Sequence, residues 1–318
     1  YDGATALAEA VLMAHGIKGG GAVLVPRALS PRYRAVLDCY AAARAIPLIE
    51  IPCAKDGTLD LARVESAFKE KIAALVLAQP NYFGIVEPAA EVSALAHGKG
   101  ALLIAAFDPA ACALLAPPGE YGADIAVGEG QSFGLGQNYG GPLLGIMATR
   151  TEYIRRMPGR VISGTVDLEG TRGYVMTLQT REQHIRREKA TSNICSNEAL
   201  CALSAAVYLA ALGESGFREV AEQSYAKSHA LHRMLAETKG CAFPFGGRFF
   251  QEFVVQLPVP AGDFLARAKR SGVLAGIPLG GSFPELGDRA LLVAVTEKRT
   301  AREIELYRDL AAGKGVAR

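Results

Sequence analysis

A glycine-rich segment in the middle of the chain has the composition of a ligand-binding loop. It spans residues 128–142 and reads GEGQSFGLGQNYGGP. Glycines let the main chain approach a ligand closely, and many cofactor enzymes carry a catalytic lysine on such a loop. This loop contains no lysine. A dinucleotide-binding fingerprint is disfavoured as well, because that motif runs into a helix, whereas Pro142 and a predicted strand follow here.

The stretch Asp2-Gly3-Ala4-Thr5 precedes an apolar helical pattern at Ala6–Ala14. Small residues and a hydroxyl group at a helix N-terminus form a cup for an anion, because free N–H groups and the helix dipole point at it. Ordinary helix capping by Asp2 is the alternative interpretation. The residues alone do not decide between the two.

A third candidate lies where an apolar run, Leu102-Leu-Ile-Ala-Ala-Phe107, ends in Asp108. A carboxylate at this position could keep the ring nitrogen of a pyridine cofactor protonated, because a nearby negative charge favours the cationic form. The alternative is a cap or turn residue before Pro109.

Short apolar runs alternate with amphipathic helical patterns over the first 150 residues. The predicted strands are Ala22–Val25, Pro47–Ile51, Ala74–Ala78, Leu102–Phe107, Ile125–Val127 and Leu143–Ala148. Predicted helices lie near 32–45, 60–69 and 87–97. Strands that are apolar on both faces and joined by helices predict an α/β fold with a mostly parallel sheet covered on both sides. Such sheets bind ligands at the carboxyl ends of their strands, where all three candidates fall.

The rest of the chain has a different pattern. Residues 150–192 are rich in glycine and predict a loop-rich excursion, with a helix start of capping-box type at Thr180. A long helix follows at 197–238 with a break at 213–216. The C-terminal region predicts strands at Phe249–Leu257, Val273–Gly276 and Ala290–Val295 and helices at 261–271 and 300–312. We therefore expect a large domain at 1–205 and a smaller C-terminal α/β domain at 206–318.

Composition narrows the classes of partner. A net charge of +2 gives no reason to expect nucleic acid, and the lack of about 18 uninterrupted apolar residues argues against a membrane span. The six cysteines form no metal-spaced cluster, so we expect no metal and a reducing compartment, the cytoplasm. Because the chain begins with Tyr1 inside a helical pattern, we expect that an N-terminal portion is missing, and a targeting peptide is not excluded.

The order of these motifs resembles the fold type I pyridoxal-phosphate enzymes, the aspartate aminotransferase-like group. Three strings narrow the resemblance to the P-protein of the glycine cleavage system, and within it to the α subunit of the two-subunit form. They are QPNYFGIVE, GEGQSFGLGQNYGGPLLG and RMPGRVISGTVDLEGTRGYVMTLQTREQHIRREKATSNICSNEAL. The resemblance covers essentially the whole chain.

The resemblance implies that Gln131 stands where the catalytic β subunit has its cofactor lysine. A carboxamide has no basic nitrogen and cannot form the Schiff base, so we expect a non-catalytic chain. Its partners would be a β subunit bearing pyridoxal phosphate, in an α2β2 assembly, glycine, and the lipoylated H-protein that accepts the aminomethyl group. The vestiges of cofactor binding would be Gly3, Ala4, Thr5 and Asp108. The subunit interface and the wall of the partner's active site would include Arg160, Arg172, Arg186, Arg187, Asn193 and Ser196.

Two other interpretations remain open. A free-standing pyridoxal-phosphate transferase would need another lysine, yet Lys55, Lys69, Lys71 and Lys99 precede Asp108 and Lys189 falls on a predicted helix. A purely stabilising scaffold subunit would contact its partner without affecting turnover.

Overall fold

A six-stranded β-sheet forms the centre of the first part of the molecule, as seen in a computed structural model. The structure describes residues 1–177, 183–190, 192–194 and 198–314. The sheet strands are β1 (Ala22–Pro26), β2 (Leu48–Ile51), β3 (Ile72–Gln79), β4 (Leu102–Phe107), β5 (Ile125–Glu129) and β6 (Gly145–Thr149). The helices of this part are α1 (Gly3–Ile17), α2 (Pro31–Ala43), α3 (Leu61–Ala67) and α4 (Ala89–Gly98).

The strands follow the order β2-β1-β3-β4-β5-β6, and every neighbouring pair is parallel except β5 and β6. Alternate residues of β3 enter two separate cores. Val76 packs with α1 and α2, whereas Leu75 and Leu77 pack with residues of α3 and α4 such as Val64 and Val92. The sheet is thus covered on both faces, as the apolar runs predicted.

The segment between β6 and residue 199 is more regular than the sequence indicated. Strands β7 (Val161–Val166) and β8 (Arg172–Thr177) form an antiparallel hairpin of their own. The prediction of a loop-rich excursion is therefore wrong for these residues. A short helix α5 (Gln183–Arg186) follows, while the predicted helix start at Thr180 lies outside the described residues.

A long helix, α6 (Ala199–Ala236), connects this region with the C-terminal part. Gly213 interrupts it with φ 62° and ψ −175°, at the position where the sequence predicted a break. The helix is long and apolar enough to cross a membrane by length and composition, with mean hydropathy 1.5 over its best window. Its segment before Gly213, residues 199–212, is shorter than the roughly 20 residues that a membrane span needs.

The C-terminal part is a three-stranded antiparallel sheet with two helices. Its elements are β9 (Glu252–Gln256), α7 (Ala261–Arg270), β10 (Ile277–Pro278), β11 (Ala290–Ala294) and α8 (Ala301–Ala311), in the strand order β10-β11-β9. The predicted strand Val273–Gly276 is wrong, because pairing with β11 begins only at Ile277. Gly276 has φ +139°, and a Cβ atom there would lie 2.3 Å from the Leu292 carbonyl oxygen. The domain boundary at residue 205 stays a prediction.

Main-chain and side-chain contacts join the C-terminal part to the large sheet. Arg27, which follows β1, donates two hydrogen bonds to the Glu285 carboxylate at 3.0 and 3.2 Å. The same guanidinium lies 4.6 Å from the centre of the Phe283 ring. Val86 N–H also donates to the Arg248 carbonyl at 2.7 Å. These contacts fix the C-terminal sheet against the carboxyl ends of the large-sheet strands.

A buried hydrogen-bond network fixes the loop QPNYFGIVE after β3. The two oxygens of Glu87 accept from Leu59 N–H at 2.8 Å and from the Asn81 amide at 2.7 Å. Gln79 and Glu87 exchange a second pair of side-chain to main-chain bonds. Burial raises the pKa of Glu87 to about 7, although these two donors favour the ionised carboxylate.

We expect Glu87 to make stability depend on pH. Its pKa is about 7 in the folded chain, above the ordinary 4.5, so the folded state binds this proton more tightly than the unfolded state. The contribution of Glu87 is complete below about pH 4.5 and is lost as the pH rises through about 7. From this residue alone, the free energy of unfolding should fall by about 2 kcal/mol between about pH 5.5 and about pH 8.5. Urea unfolding at the two pH values measures the difference.

Glu87→Gln should remove this part of the pH dependence. The variant should also be less stable at low pH by about 1–3 kcal/mol, because its amide group must face one of two N–H donors. Glu120→Gln, which changes an exposed carboxylate, serves as the control and should keep the wild-type slope. An unchanged slope in Glu87→Gln would refute the assignment.

Candidate functional site

The carboxyl ends of β4 and β5 and the first turn of α1 meet at one edge of the large sheet. We call this the strand-end site and define it by Gly3, Asp108, Glu129 and Gln131. Since Phe107 pairs with Gly128 across the two strands, Asp108, which follows β4, lies beside Glu129, the last residue of β5. The site lies where open α/β sheets bind their ligands.

The first turn of α1 already has carboxylate partners. Asp2 caps the helix, accepting from Thr5 N–H at 2.7 Å, while Thr5 Oγ1 accepts from Asp2 N–H at 3.0 Å. Gly3 N–H donates to Glu129 Oε2 at 3.0 Å. A negative charge at this place interacts favourably with the helix dipole. Two of the N–H groups that would bind an anion are therefore engaged by carboxylates of the chain itself.

Glu129 joins the helix to the glycine-rich loop. Its Oε1 atom accepts from Gln131 N–H and from Leu144 N–H, each at 2.9 Å. The phenol of Tyr33 lies over the same helix turn, since a Cβ atom on Gly3 would be 1.9 Å from the Tyr33 oxygen. Burial, and then the negative charges of Glu129, Asp2 and Asp108, raise the pKa of Tyr33.

Asp108 uses both of its carboxylate oxygens. Oδ1 accepts from Ala110 N–H at 2.9 Å and so caps the 3-10 turn at Pro109–Ala113. Oδ2 accepts from the Gln251 amide at 3.0 Å. Burial raises the pKa of Asp108. Burial also raises the pKa of Glu252 to about 7, with the charge of Asp108 as the second cause.

Gln131 is the second residue of the glycine-rich loop between β5 and β6. The side-chain amide of Gln131 is 3.5 Å from the Gly136 carbonyl oxygen, at the limit of a weak hydrogen bond. Phe133 is buried against the rings of Tyr208 and Phe217 in α6. The loop is thus anchored by Glu129 at one side and by α6 at the other.

The structure brings one group of predicted residues together and places the other elsewhere. Gly3, Ala4, Thr5, Asp108 and Gln131 all lie at or beside the strand-end site. The remaining candidates lie beyond β6, on the segment that contains the hairpin: Arg160, Arg172, Arg186, Arg187 and Asn193. Ser196 lies outside the described residues.

The hairpin segment forms its own local contacts. Arg160 lines a cavity of about 400 Å³ together with Glu9 and Met157. Arg172 lies on β8 with its guanidinium 5.5 Å from the centre of the Tyr174 ring. Arg187 has a positive φ of 51° and begins a 3-10 turn directly after α5. Arg160 thus shares a cavity with Glu9 of α1, and Arg172 lies against a ring of its own strand.

Sequence reasoning missed Glu129 of the strand-end site and three residues around it: Tyr33, Gln251 and Glu252. Glu129 stands inside the glycine-rich string, two residues before Gln131, and its carboxylate at a strand end was a usable signal. Gln251 gave no local signal, because its contact with Asp108 joins residues from different sheets.

Comparison with known proteins gives the family of the chain. The family model of the glycine cleavage system P-protein matches residues 1–309. The chain is 49% identical over 316 residues to a protein named probable glycine dehydrogenase (decarboxylating) subunit 1 from Moorella thermoacetica. That match covers 99% of this chain and 70% of the relative.

Solved structures give the same result for the fold. A crystal structure of glycine decarboxylase (P-protein) of the glycine cleavage system, in inhibitor-bound form, superposes with a TM-score of 0.91 at 41% identity, covering 98% of this chain and 70% of that one. A NifS-like protein from Rickettsia africae shares the fold alone, with a TM-score of 0.68 at 13% identity over 97% of this chain and 78% of its own.

These matches confirm the predicted fold class, an α/β fold of the type I pyridoxal-phosphate-enzyme kind. The family model, the relative from Moorella thermoacetica and the P-protein structure each match nearly the whole length of the chain. The chain belongs to the P-protein family of the glycine cleavage system.

Proposed function

We propose that the chain is the non-catalytic α subunit of a glycine dehydrogenase (decarboxylating), and that its partner, the β subunit, carries the covalently bound pyridoxal phosphate. The assembled cytoplasmic enzyme, an α2β2 tetramer, releases CO2 from glycine and transfers the aminomethyl group to the lipoyl arm of the H-protein. The cofactor supplies an electron sink for the negative charge left by decarboxylation. Family membership and the name of the relative as subunit 1 support this proposal.

The observation that carries the proposal is the carboxamide of Gln131 in the strand-end site. A covalent link to the aldehyde of the cofactor needs a nucleophilic amine, and Gln131 offers none. The fold around Gln131 is still that of a pyridoxal-phosphate enzyme, with Asp108 after β4 and the first turn of α1 bonded to Glu129. Fold and chemistry are separable, because function depends on the residues of the site.

The hairpin β7–β8 supports a role as a subunit. Directly paired residues lie on one face of a hairpin, and the pairs Ile162–Met176 and Gly164–Tyr174 place apolar groups on the same face. Ile162 is 59% exposed and Tyr174 is 69% exposed. An isolated two-stranded hairpin is marginally stable in water, so this face suits burial against another chain.

The first segment of α6 adds a second apolar surface. Leu200, Leu203 and Val207 are 79%, 60% and 60% exposed and follow the i, i+3, i+7 spacing of one helix face. The opposite face is occupied by the protein, since Cys201 and Ala205 are buried. The segment 199–212 thus has one exposed apolar face and is too short to span a bilayer. Such a face suits packing against another protein. We call the hairpin face and this stripe together the docking face, and we propose that the β subunit covers it.

We further propose that basic and polar residues of the same segment form one wall of the partner's active site. They are Arg160, Arg172, Arg186, Arg187, Asn193 and Ser196. Arginine binds carboxylates and phosphates in bidentate geometry, which suits a site that handles glycine and a phosphorylated cofactor. Under the scaffold alternative, the same residues would contact the partner without affecting its turnover.

Reconstitution tests the proposed function directly. The chain alone should not exchange the carboxyl group of glycine with labelled CO2, and adding the β subunit should start the exchange. Borohydride reduction of the active complex, followed by peptide mapping, should place the pyridoxyl group on a lysine of the β subunit. A pyridoxyl group fixed to a lysine of this chain would refute the proposal and favour a free-standing enzyme.

Leu203→Asp should weaken assembly with the β subunit by at least about tenfold, because burying an unpaired charge in an apolar interface is strongly unfavourable. Leu274→Asp changes a leucine that is 94% exposed outside the docking face and should assemble like the wild type. Analytical ultracentrifugation of each variant mixed with the β subunit measures the dissociation constants. Equal constants for the two variants would show that α6 is not part of the interface.

Arg172→Ala separates an active-site wall from a scaffold. With enough β subunit to keep the variant assembled, kcat/KM of the complex for glycine should fall by about tenfold or more, corresponding to the loss of one charge-assisted hydrogen bond. Arg302→Ala, an exposed arginine on α8, should leave the kinetics unchanged. Wild-type kinetics in an assembled Arg172→Ala complex would favour the scaffold.

A further inference from the structure

We propose that Glu129 and Gln251 are built-in substitutes for the phosphate and the ring nitrogen of a pyridine cofactor, which stabilise the strand-end site and close it to phosphate-bearing ligands. The inference rests on the proposed function and goes beyond it. A missing lysine prevents only the covalent link, whereas occupied polar positions prevent non-covalent binding as well. The residues present therefore do not fit pyridoxal phosphate.

The first step of the argument concerns the anion position at the N-terminus of α1. A phosphate binds a helix terminus through the free N–H groups of the first turn. Here Gly3 N–H donates to Glu129 at 3.0 Å and Thr5 N–H donates to Asp2 at 2.7 Å. A phosphate would have to displace two carboxylates of the chain.

The second step is steric. The Tyr33 phenol lies so close to Gly3 that even a Cβ atom there would be 1.9 Å from its oxygen and 3.2 Å from Glu129 Cβ. A phosphate group is much larger than a methyl group. The space over the first turn is thus taken by Tyr33 and Glu129.

The third step concerns the position of the ring nitrogen. An aspartate holds a protonated pyridine by accepting its N–H. Asp108 Oδ2 accepts instead from the Gln251 amide at 3.0 Å, and its Oδ1 accepts from Ala110 N–H. The main chain of Gln251 is fixed in turn, because its carbonyl accepts from Val295 N–H at 3.0 Å. An internal amide therefore provides the hydrogen bond that a ring nitrogen would make.

The fourth step is electrostatic. Four carboxylic acids lie in or around the site: Asp2, Asp108, Glu129 and Glu252. Burial is the largest cause that raises the pKa of Tyr33, and the negative charges of Glu129, Asp2 and Asp108 raise it further. A phosphate group carries a charge of about −1.5 to −2 near neutral pH and would be repelled.

A rescue experiment tests the proposal on the full chain. Glu129→Ala should lower the thermal midpoint, because Gly3, Gln131 and Leu144 each lose an acceptor. Millimolar inorganic phosphate should then raise the midpoint of the variant by about 2–4 °C more than it raises that of the wild type, as a ligand that binds only the folded variant does. Chloride at matched ionic strength controls for general salt effects.

Glu120→Ala is the matched control, since it removes an exposed carboxylate, and phosphate should shift it no more than the wild type. An equal phosphate shift in the wild type, Glu129→Ala and Glu120→Ala would overturn the proposal. If Glu129→Ala does not fold, Glu129→Gln replaces it and should show a smaller rescue of the same sign.

Cofactor stoichiometry gives an independent test on the wild-type complex with the β subunit. We expect one pyridoxal phosphate per αβ pair at saturation, as measured by alkaline release and absorbance. Two per pair in an active complex would overturn the closed site and leave the proposed function intact. An inactive complex without cofactor would instead refute the proposed function, so the two failures are distinguishable.

Discussion

The carboxylate of Glu129 connects three segments that are distant in the sequence. It accepts N–H groups from the first turn of α1, from the start of the glycine-rich loop and from Leu144 before β6. A helix terminus buried without partners would leave polar groups unsatisfied, at a cost of about 1–3 kcal/mol each. The arrangement of the strand-end site depends on this one side chain, because helix, strand end and loop would otherwise have no common acceptor.

A fold of the pyridoxal-phosphate-enzyme kind has two requirements at its large sheet. The apolar strands must be covered, and the polar groups at the sheet edge must have hydrogen-bond partners. The large sheet is stabilised by strands that are apolar on both faces, and it needs no ligand. The polar groups at its edge do need partners, and Glu129, Gln251 and Asp2 provide them. Apolar groups remain exposed on the hairpin and on the first segment of α6, as they do on surfaces that bind another protein.

Much of the fold was predictable from the sequence, and the part that was not has a physical reason. The strand Leu102–Phe107 was predicted with its observed bounds, because an unbroken apolar run that ends in Asp-Pro has few other solutions. The hairpin β7–β8 was missed because its apolar residues are exposed and its glycines resemble turn signals. The strand-end position of Asp108 followed from local pattern. The contacts of Glu129 and Gln251 did not, because their partners are determined by packing between α1 and the two sheets.

The strand-end site also depends on the position of the C-terminal sheet, because Gln251 directly precedes β9. Gly84 is held against that strand so closely that a Cβ atom would lie 1.9 Å from the Glu252 carbonyl oxygen. Arg27, which follows β1, binds Glu285 and lies over the Phe283 ring. Moving the C-terminal sheet away would break these contacts and leave Asp108 without the Gln251 donor. The hydrogen bond between Gln251 and Asp108 therefore also helps to keep the two sheets together, which favours a chain that is rigid at this edge.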